Sequence, residues 1–486
     1  MKDNFADEMP LLAAMKKYMA DGAVAYHTPG HKQGKGIPEA MRALITDAGL
    51  KMEVSLMEEL DDLHAPSGCL LAAEKRAAEL YGADESFFVI NGTTAAIQAM
   101  IMAAAGDGDK IIMPRNVHRS VMGGLVLSGA LPVYVRPEID AKLGIAMHPA
   151  KEKIAAAIRE NPDAKAVLIV YPTYYGVAAE LAAIADMAHE AGMLLLVDEA
   201  HGPHLKFSSK LPPQALDCGA DAVAQSTHKI VGALTQCSML HIKGARIDRE
   251  RVRTFLSLLQ STSPNYLLLA SLDAAVWQMR TDGRALVARA VELARQARIA
   301  INAIEGLYAF GAEHLGENIR LDETKITVNV SGLGMNGAAA EYILRHEHKI
   351  QAELSDENNI LFIISYADTK KEVEHLVNAL KCLAEKSAVH KKVQAAGGAG
   401  YALLPKAVLS PRKALKMRKR RCLFTESLGE IAAETITFYP PGIPLVCSGE
   451  EISRELIDAC KKMQREGLKV TGAEDLSLEY INVIEK

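Results

Sequence analysis

A chain of 486 residues is too long for one ordinary hydrophobic core and long enough for two or three domains. Hydrophobic residues make up 49% and charged residues 24%, which excludes a disordered chain, and no run approaches the roughly 20 uninterrupted apolar residues of a membrane-spanning helix. A formal net charge of -5 argues against a general nucleic-acid binder, and seven scattered cysteines without a CxxC pair point to reduced thiols rather than a disulfide framework or zinc ribbon.

The first residues, Met1 to Glu8, are polar and acidic. They lack the basic start and apolar run of a secretory signal, so a cytoplasmic location is expected. His27 and His31 have the four-residue spacing that binds zinc on a helix, but Pro29 and Gly30 between them forbid a regular helix, and no metal site is expected. Gly30 to Gly36 surrounds Lys35 with glycine without the residue order of a P-loop.

From about residue 85 to 245, short β-rich runs alternate with helical stretches. The strand candidates are 87–90, 110–113, 132–135, 166–171, 193–197 and 222–224, and helical patterns at 95–105, 149–160 and 180–191 lie between them. Several runs are continuously apolar, as strands covered on both faces should be. The pattern predicts an α/β fold with a mainly parallel sheet and helices on both faces, a sheet that binds ligands beyond the carboxyl ends of its strands. A long helical region follows at 266–304. The pattern then restarts as strand 326–330, helix 338–346, strand 360–365 and helix 370–386. A Gly/Ala-rich joint at 395–400 leads to a last segment containing Tyr439 to Pro444. The expected organisation is an N-terminal segment 1–50, a ligand-binding major domain 51–305, a small α/β domain 306–395 and a C-terminal domain 396–486.

The strand ends carry the chemistry. Strand 87–90 runs into Asn91-Gly92-Thr93-Thr94 and a helix, where glycine, hydroxyls and free N–H groups suit a phosphate. An ordinary helix cap reads the same way. Strand 193–197 ends in Asp198-Glu199-Ala200-His201-Gly202. Buried carboxylates there need a partner, and an aspartate at that position could hold a pyridinium nitrogen, a metal or a ribose. Strand 222–224 leads to Gln225-Ser226-Thr227-His228-Lys229. A lysine beside small hydroxyl residues forms a Schiff base if desolvation keeps its amine partly neutral, although most lysines are simply exposed. Order separates the readings: phosphate cup, aspartate and lysine follow three strands of one sheet. Pyridoxal 5'-phosphate (PLP) needs those contacts, for its phosphate, its ring nitrogen and its aldehyde. After strand 110–113, His118 could stack on the cofactor ring, although a lone histidine is more often structural or exposed and only its place at a strand mouth lifts it.

Specific motifs accompany this order. They are His27-Thr28-Pro29-Gly30-His31-Lys32, Leu60-Asp61-Asp62-Leu63-His64, Arg115-Asn116-Val117-His118, Pro172-Thr173-Tyr174-Tyr175-Gly176, Val197-Asp198-Glu199-Ala200-His201-Gly202, Ser226-Thr227-His228-Lys229, Ser261-Thr262-Ser263-Pro264 and Tyr439-Pro440-Pro441-Gly442. Over nearly the whole chain the sequence resembles the Orn/Lys/Arg decarboxylases, PLP-dependent enzymes of fold type I (the aspartate-aminotransferase fold) with a seven-stranded type of sheet. It is similar to their short bacterial form without the N-terminal wing domain. The resemblance implies that Lys229 is the Schiff-base lysine, Asp198 the partner of the pyridine nitrogen and His118 the imidazole stacked on the ring. It implies phosphate contacts for Thr93, Thr94, Ser226 and His228, and places His201 by the cofactor. Ser261 and Thr262 correspond to a segment reaching the phosphate from the neighbouring subunit, so a homodimer-based assembly with sites at its interface is implied. Glu426 sits where the family places an acidic group near the substrate's distal cation, with Glu434 a second candidate.

The implied reaction is decarboxylation of a basic amino acid in polyamine biosynthesis, arginine to agmatine ahead of lysine or ornithine, with His228 or Lys229 returning a proton to Cα. An aminotransferase on the same fold would release no CO2. An inactive relative serving as a regulatory or binding subunit would lack turnover despite an intact Asp198, His118 and Lys229. The basic run 412–421 reads as a solvated face or as a patch for an acidic surface or nucleic acid, the first being favoured because charge runs usually face water. Where relatives carry Gly-Arg this chain has Gly429-Glu430. Neither a nucleic-acid nor a membrane partner is expected.

Overall fold

Residues 8–387, 403–439, 443–465 and 467–485 are described by the computed structural model of the chain. The Gly/Ala-rich joint at 395–400, most of the acidic N-terminal stretch and residues 440–442 of the last motif lie outside the described residues.

Eight strands in the first half explain the alternation seen in the sequence. They are β1 (Glu85–Val89), β2 (Lys110–Pro114), β3 (Leu131–Val135), β4 (Ala166–Val170), the two-residue β5 (Val177–Ala178), β6 (Leu194–Asp198), β7 (Ala222–Gln225) and β8 (Ser238–Ile242). All but β5 form a seven-stranded sheet of order β1-β8-β7-β6-β4-β2-β3. Pairing is parallel between β2 and β3, β2 and β4, and β6 and β7, whereas β8 runs antiparallel to both β1 and β7. The continuous apolar runs are buried, as both-face coverage requires: Phe88, Val89, Ile111, Ile112, Leu168 and Val197 are almost fully enclosed. The intervening helices bury one stripe each. In Leu181–Glu190 the buried residues are Leu181, Ile184, Ala185 and Ala188, the spacing of a helix laid on a sheet.

The long helical region is one helix of 37 residues, Tyr266–Asn302, which passes through Gly283 without breaking. A Cβ at 283 would stand 2.8 Å from the Phe207 ring, so the glycine admits that ring against the helix. Asp273, fully buried on this helix, accepts hydrogen bonds from Leu11 N and Leu12 N at 3.0 and 3.1 Å and so caps the helix Pro10–Asp21.

The chain forms two compact units. The first comprises Met1–Ala104, Leu196–Phe207 and Gln214–Arg284; the second comprises Ala105–Leu195, Ser208–Pro213 and Ala285–Lys486. Within the second unit, the strands Tyr308–Ala309, Lys325–Asn329, Leu354–Ser355 and Asn359–Ile363 pair antiparallel and share a core with the helices Gly337–His348 and Lys370–Ser387. The C-terminal part has its own core, built on the strands Ile436–Tyr439, Ile443–Val446, Lys469–Thr471 and Tyr480–Ile484 and the helix Arg454–Arg465. Among the described residues no helix is long and apolar enough to cross a membrane, and all seven cysteines are free thiols.

Candidate active site

In the first unit, register brings four strand ends to one edge. Asp198 at the end of β6 pairs with Ala224 of β7, Gln225 of β7 pairs with Met239, and Val89 at the end of β1 pairs with Ser238. Because β8 is antiparallel, its start lies where its neighbours finish. From β1 the chain turns at Gly92, whose φ of +71° is left-handed, directly into the helix Gly92–Ala104. The buried hydroxyl of Thr93 then meets Ser226 Oγ and, at 2.7 Å, Ser238 Oγ. Thr94 is exposed on the first turn of the same helix. Three hydroxyls and a helix start thus form one polar nest of the kind that receives a phosphate.

Asp198 is buried and accepts a hydrogen bond from Ala200 N at 3.1 Å. Burial raises its pKa, against the pull of the Lys229 charge and the Ala200 N–H. A protonated ring nitrogen would relieve that burial. The half-buried Lys229 sits on the short helix Thr227–Ile230, with Nζ 3.0 Å from Nε2 of the buried His201. His228 Nδ1 lies 2.8 Å from the Cys237 carbonyl, which can only accept, so Nδ1 carries the proton and the neutral ring keeps its lone pair on Nε2. Burial lowers the His228 pKa, and the Lys229 charge adds to that effect. Thr227 Oγ1 is buried without a hydrogen-bond partner, the kind of polar atom that a bound group satisfies. An amine, a carboxyl whose pKa burial raises, a hydroxyl nest and an orphaned hydroxyl are the donor set that PLP requires.

Glu199, the neighbouring carboxylate, is a different case. Its oxygens accept from Ala215 N at 2.7 Å and Gln225 Nε2 at 2.6 Å, and burial raises its pKa to about 8. It is a structural acid that ties β6 to β7. Asp61 is also structural. Its carboxylate accepts from Ser67, Gly68, Leu70 and Leu71 N–H groups at the start of the helix Cys69–Tyr81. Burial raises its pKa, and these bonds outweigh burial to lower it overall. The Asp61 carbonyl accepts from Tyr266 OH at 2.5 Å, and His64 Nε2 lies 2.9 Å from the Ser261 carbonyl, so two of the motifs are in contact. Ser261 and Thr262 themselves are exposed.

In the second unit, a cavity of about 670 Å³ is lined by His118, Met122, Tyr174, Glu434 and Ser448, among others. His118 begins the helix Arg119–Ser128, and its Nδ1 accepts from Ser120 N at 3.2 Å, which leaves the proton of the neutral ring on Nε2. Glu434 is fixed by Asn482 N at 2.9 Å, Asn482 Nδ2 at 3.0 Å and Glu474 N at 3.0 Å. Glu426 is exposed on the 3₁₀ turn Phe424–Glu426 and is not among the lining residues. Arg115, three residues before His118, is buried and forms a two-pronged ion pair with Glu450. The sequence had offered no sign of that partner.

The basic run is mostly exposed and partly paired. Arg412 Nε donates to Val126 O at 2.8 Å and its guanidinium also reaches Leu127 O, at the end of the helix Arg119–Ser128. Lys419 pairs with Glu474, Arg420 with Glu430 and Arg421 with Asp475, the last guanidinium lying 4.3 Å from the Tyr480 ring centre. His27 meets Tyr18 OH at 2.9 Å and His31 meets Glu53 at 2.6 Å, so the two histidines serve separate partners.

Comparison with known proteins gives three concordant results. The family model for the major domain of the Orn/Lys/Arg decarboxylases matches residues 9–372, and the model for their C-terminal domain matches residues 395–472. The chain is 42% identical to an arginine decarboxylase of Halalkalibacterium halodurans over 485 residues, 99% of this chain and 98% of that protein. It is 41% identical to an arginine decarboxylase of Bacillus subtilis with the same coverage. Among solved structures, a lysine decarboxylase of Francisella novicida superposes with a TM-score of 0.84 at 22% identity, covering 98% of this chain and 81% of that one, a likeness of fold.

Proposed function

The chain belongs to the Orn/Lys/Arg decarboxylase family, and from that premise we propose that it is a PLP-dependent arginine decarboxylase, releasing CO2 and agmatine for polyamine biosynthesis. Arginine is preferred to lysine or ornithine because relatives above 40% identity over nearly the full length are arginine decarboxylases. The observation that carries the reading is the cluster of Lys229, His201, Asp198 and the Thr93–Ser226–Ser238 hydroxyls at one sheet edge.

When bound, PLP supplies an electron sink for the pair left behind as the Cα–carboxylate bond breaks. The chain's own groups do the rest. Lys229 would hold the cofactor through its aldehyde carbon. Asp198 keeps a proton on the ring nitrogen, its anion stabilised by that positive charge rather than by water. Thr93, Ser226 and Ser238 hold the phosphate together with the helix start, joined by Thr94 and His228. Ser261 and Thr262 reach it from a second subunit of a homodimer-based assembly, a role for which their exposure suits them. His118 would stack on the ring. Its Nδ1 is occupied as an acceptor, which favours the neutral imidazole. Lys229 returns the proton to Cα, and His201 Nε2, 3.0 Å away, takes up and gives back the proton that Lys229 moves. His228 Nε2 is a second base within the same turn. Glu434 receives the guanidinium, and Glu426, being exposed, is the weaker candidate. The free thiols suit the reducing cytoplasm.

The test is to load the protein with PLP and incubate it separately with arginine, lysine and ornithine, identifying the amine released. Agmatine formed fastest supports the reading. Cadaverine or putrescine formed fastest corrects the substrate, and no amine with any of the three removes the decarboxylase assignment.

A further inference from the structure

We propose that the buried Arg115–Glu450 pair is a positioning device that fixes the spacing between the His118 and Glu434 walls of the cavity, and thereby selects basic amino acids by length. The selection rests on the decarboxylase reading above; the spacing does not.

The first wall begins where β2 ends. Arg115 N donates to Val135 O at 3.0 Å, which fixes the backbone three residues before His118, and Asn116 Nδ2 donates to Met147 O at 3.0 Å. His118 then starts the helix that brings Met122 to the cavity. The Arg115 guanidinium donates to Glu450 through Nη1–Oε1 at 2.6 Å and Nη2–Oε2 at 2.8 Å, donates to Leu445 O at 3.0 Å, and lies 4.5 Å from the Tyr134 ring centre. Arg115 is 1% and Glu450 3% exposed. A planar, two-pronged pair sealed from water has one satisfactory geometry.

The second wall hangs on Glu450. Its Oε2 also accepts from Cys447 N at 2.8 Å. Its backbone carbonyl accepts from Ala432 N at 2.8 Å, and Gly449 N donates to Ala432 O at 2.8 Å. The residues next along these two strands of backbone, Ala433, Glu434 and Ser448, line the cavity. Both walls are therefore tied to opposite ends of one ion pair, and Glu434 is itself clamped by Asn482 and Glu474. An anion fixed at a set distance from His118 reads chain length. Arginine, lysine and ornithine place their distal charges at different reaches, and a mismatch of one methylene typically changes discrimination by about 10- to 200-fold. Stability alone does not account for the pair, because apolar residues of similar volume usually hold a core at least as well as a buried ion pair.

Two variants of the full-length, PLP-loaded protein test this. Glu450→Gln keeps the shape and removes the charge. The double variant Arg115→Met with Glu450→Leu removes both charges and leaves neither unpaired, so it is the variant expected to fold. In both, KM for arginine should rise at least about tenfold with a smaller change in kcat, since a displaced carboxylate weakens binding. The arginine-to-lysine preference in kcat/KM should fall at least about tenfold. Calorimetric titration with agmatine, cadaverine and putrescine should show the same flattening of preference without turnover. A merely structural pair would lower the melting temperature and leave these preferences intact, and a folded double variant with wild-type preferences overturns the proposal. Wild-type protein that turns over none of the three amino acids, yet still ranks the three amines, would remove the activity while supporting the spacing. Equal wild-type affinity for all three amines would overturn the spacing.

Discussion

The edge of the first unit and the cavity of the second are both made of charged and hydroxyl side chains, but they are assembled differently. At the edge, each functional residue follows a strand by a few positions: Thr93 after β1, Asp198 at the end of β6, Lys229 after β7. The cavity instead depends on partners far apart in the chain, with Arg115 and Glu450 separated by 335 positions. Chemistry at the edge is placed locally on strand ends, and the shape of the cavity is set by long-range contacts. The same contrast recurs between two adjacent residues. Asp198 feels the charge of Lys229, whereas Glu199 is consumed by Ala215 and Gln225.

The largest effect is expected of Lys229→Ala. Decarboxylation should fall by at least about 10³-fold, and the visible absorption of the lysine-bound cofactor should disappear. Full turnover in that variant would remove the edge from the reaction. Asp198→Asn should lower kcat by roughly 10²- to 10³-fold, the scale of losing one preorganised charge, and speed cofactor loss on dialysis. A smaller effect concerns His241, fully buried between Ser86 Oγ at 2.7 Å and Gln225 Oε1 at 3.1 Å, whose pKa burial lowers to about 3. Because this folded value lies below the unfolded one near 6.5, its contribution is present above pH 6.5 and is lost as pH falls toward 3, on the order of 5 kcal/mol in all. Urea melts at pH 7 and pH 4 should show a wider gap in wild type than in His241→Gln. The smallest effect is expected for Glu199→Gln. The amide would aim its own N–H at Ala215 N or Gln225 Nε2, where an oxygen now accepts, so stability should fall by about 1–3 kcal/mol while kcat stays within twofold. A loss as large as that of Asp198→Asn would show that the two carboxylates share one task.

Most of the edge was legible because a both-face-covered parallel strand announces itself as an apolar run, and the residue after it is the one that meets a ligand. Ser238 was missed for a physical reason. Its strand reads Ser-Met-Leu-His-Ile, and the buried polar His241, satisfied by Ser86 and Gln225, interrupts the run that would have revealed it. Thr227 stood inside the Ser226-Thr227-His228-Lys229 motif without a role of its own, and only burial shows its hydroxyl without a partner among the described residues. Glu450 stands in Gly449-Glu450-Glu451, which reads as surface charge, and nothing local distinguishes the fully enclosed carboxylate from its half-exposed neighbour. The basic run is exposed, as a solvated face should be, and what its pattern could not show is that Lys419, Arg420 and Arg421 each have an acidic partner contributed by a later segment.

Gly129 closes the helix that starts at His118, with a φ of +80°. A Cβ there would meet Asp107 Oδ1 and Arg412 Nη1, the far ends of two flexible side chains that can swing aside. The cost of a methyl group at this position therefore falls on the backbone, which would have to keep a left-handed turn with a side chain attached. By bearing no side chain, residue 129 lets the main chain leave the helix at once and enter β3 two residues later.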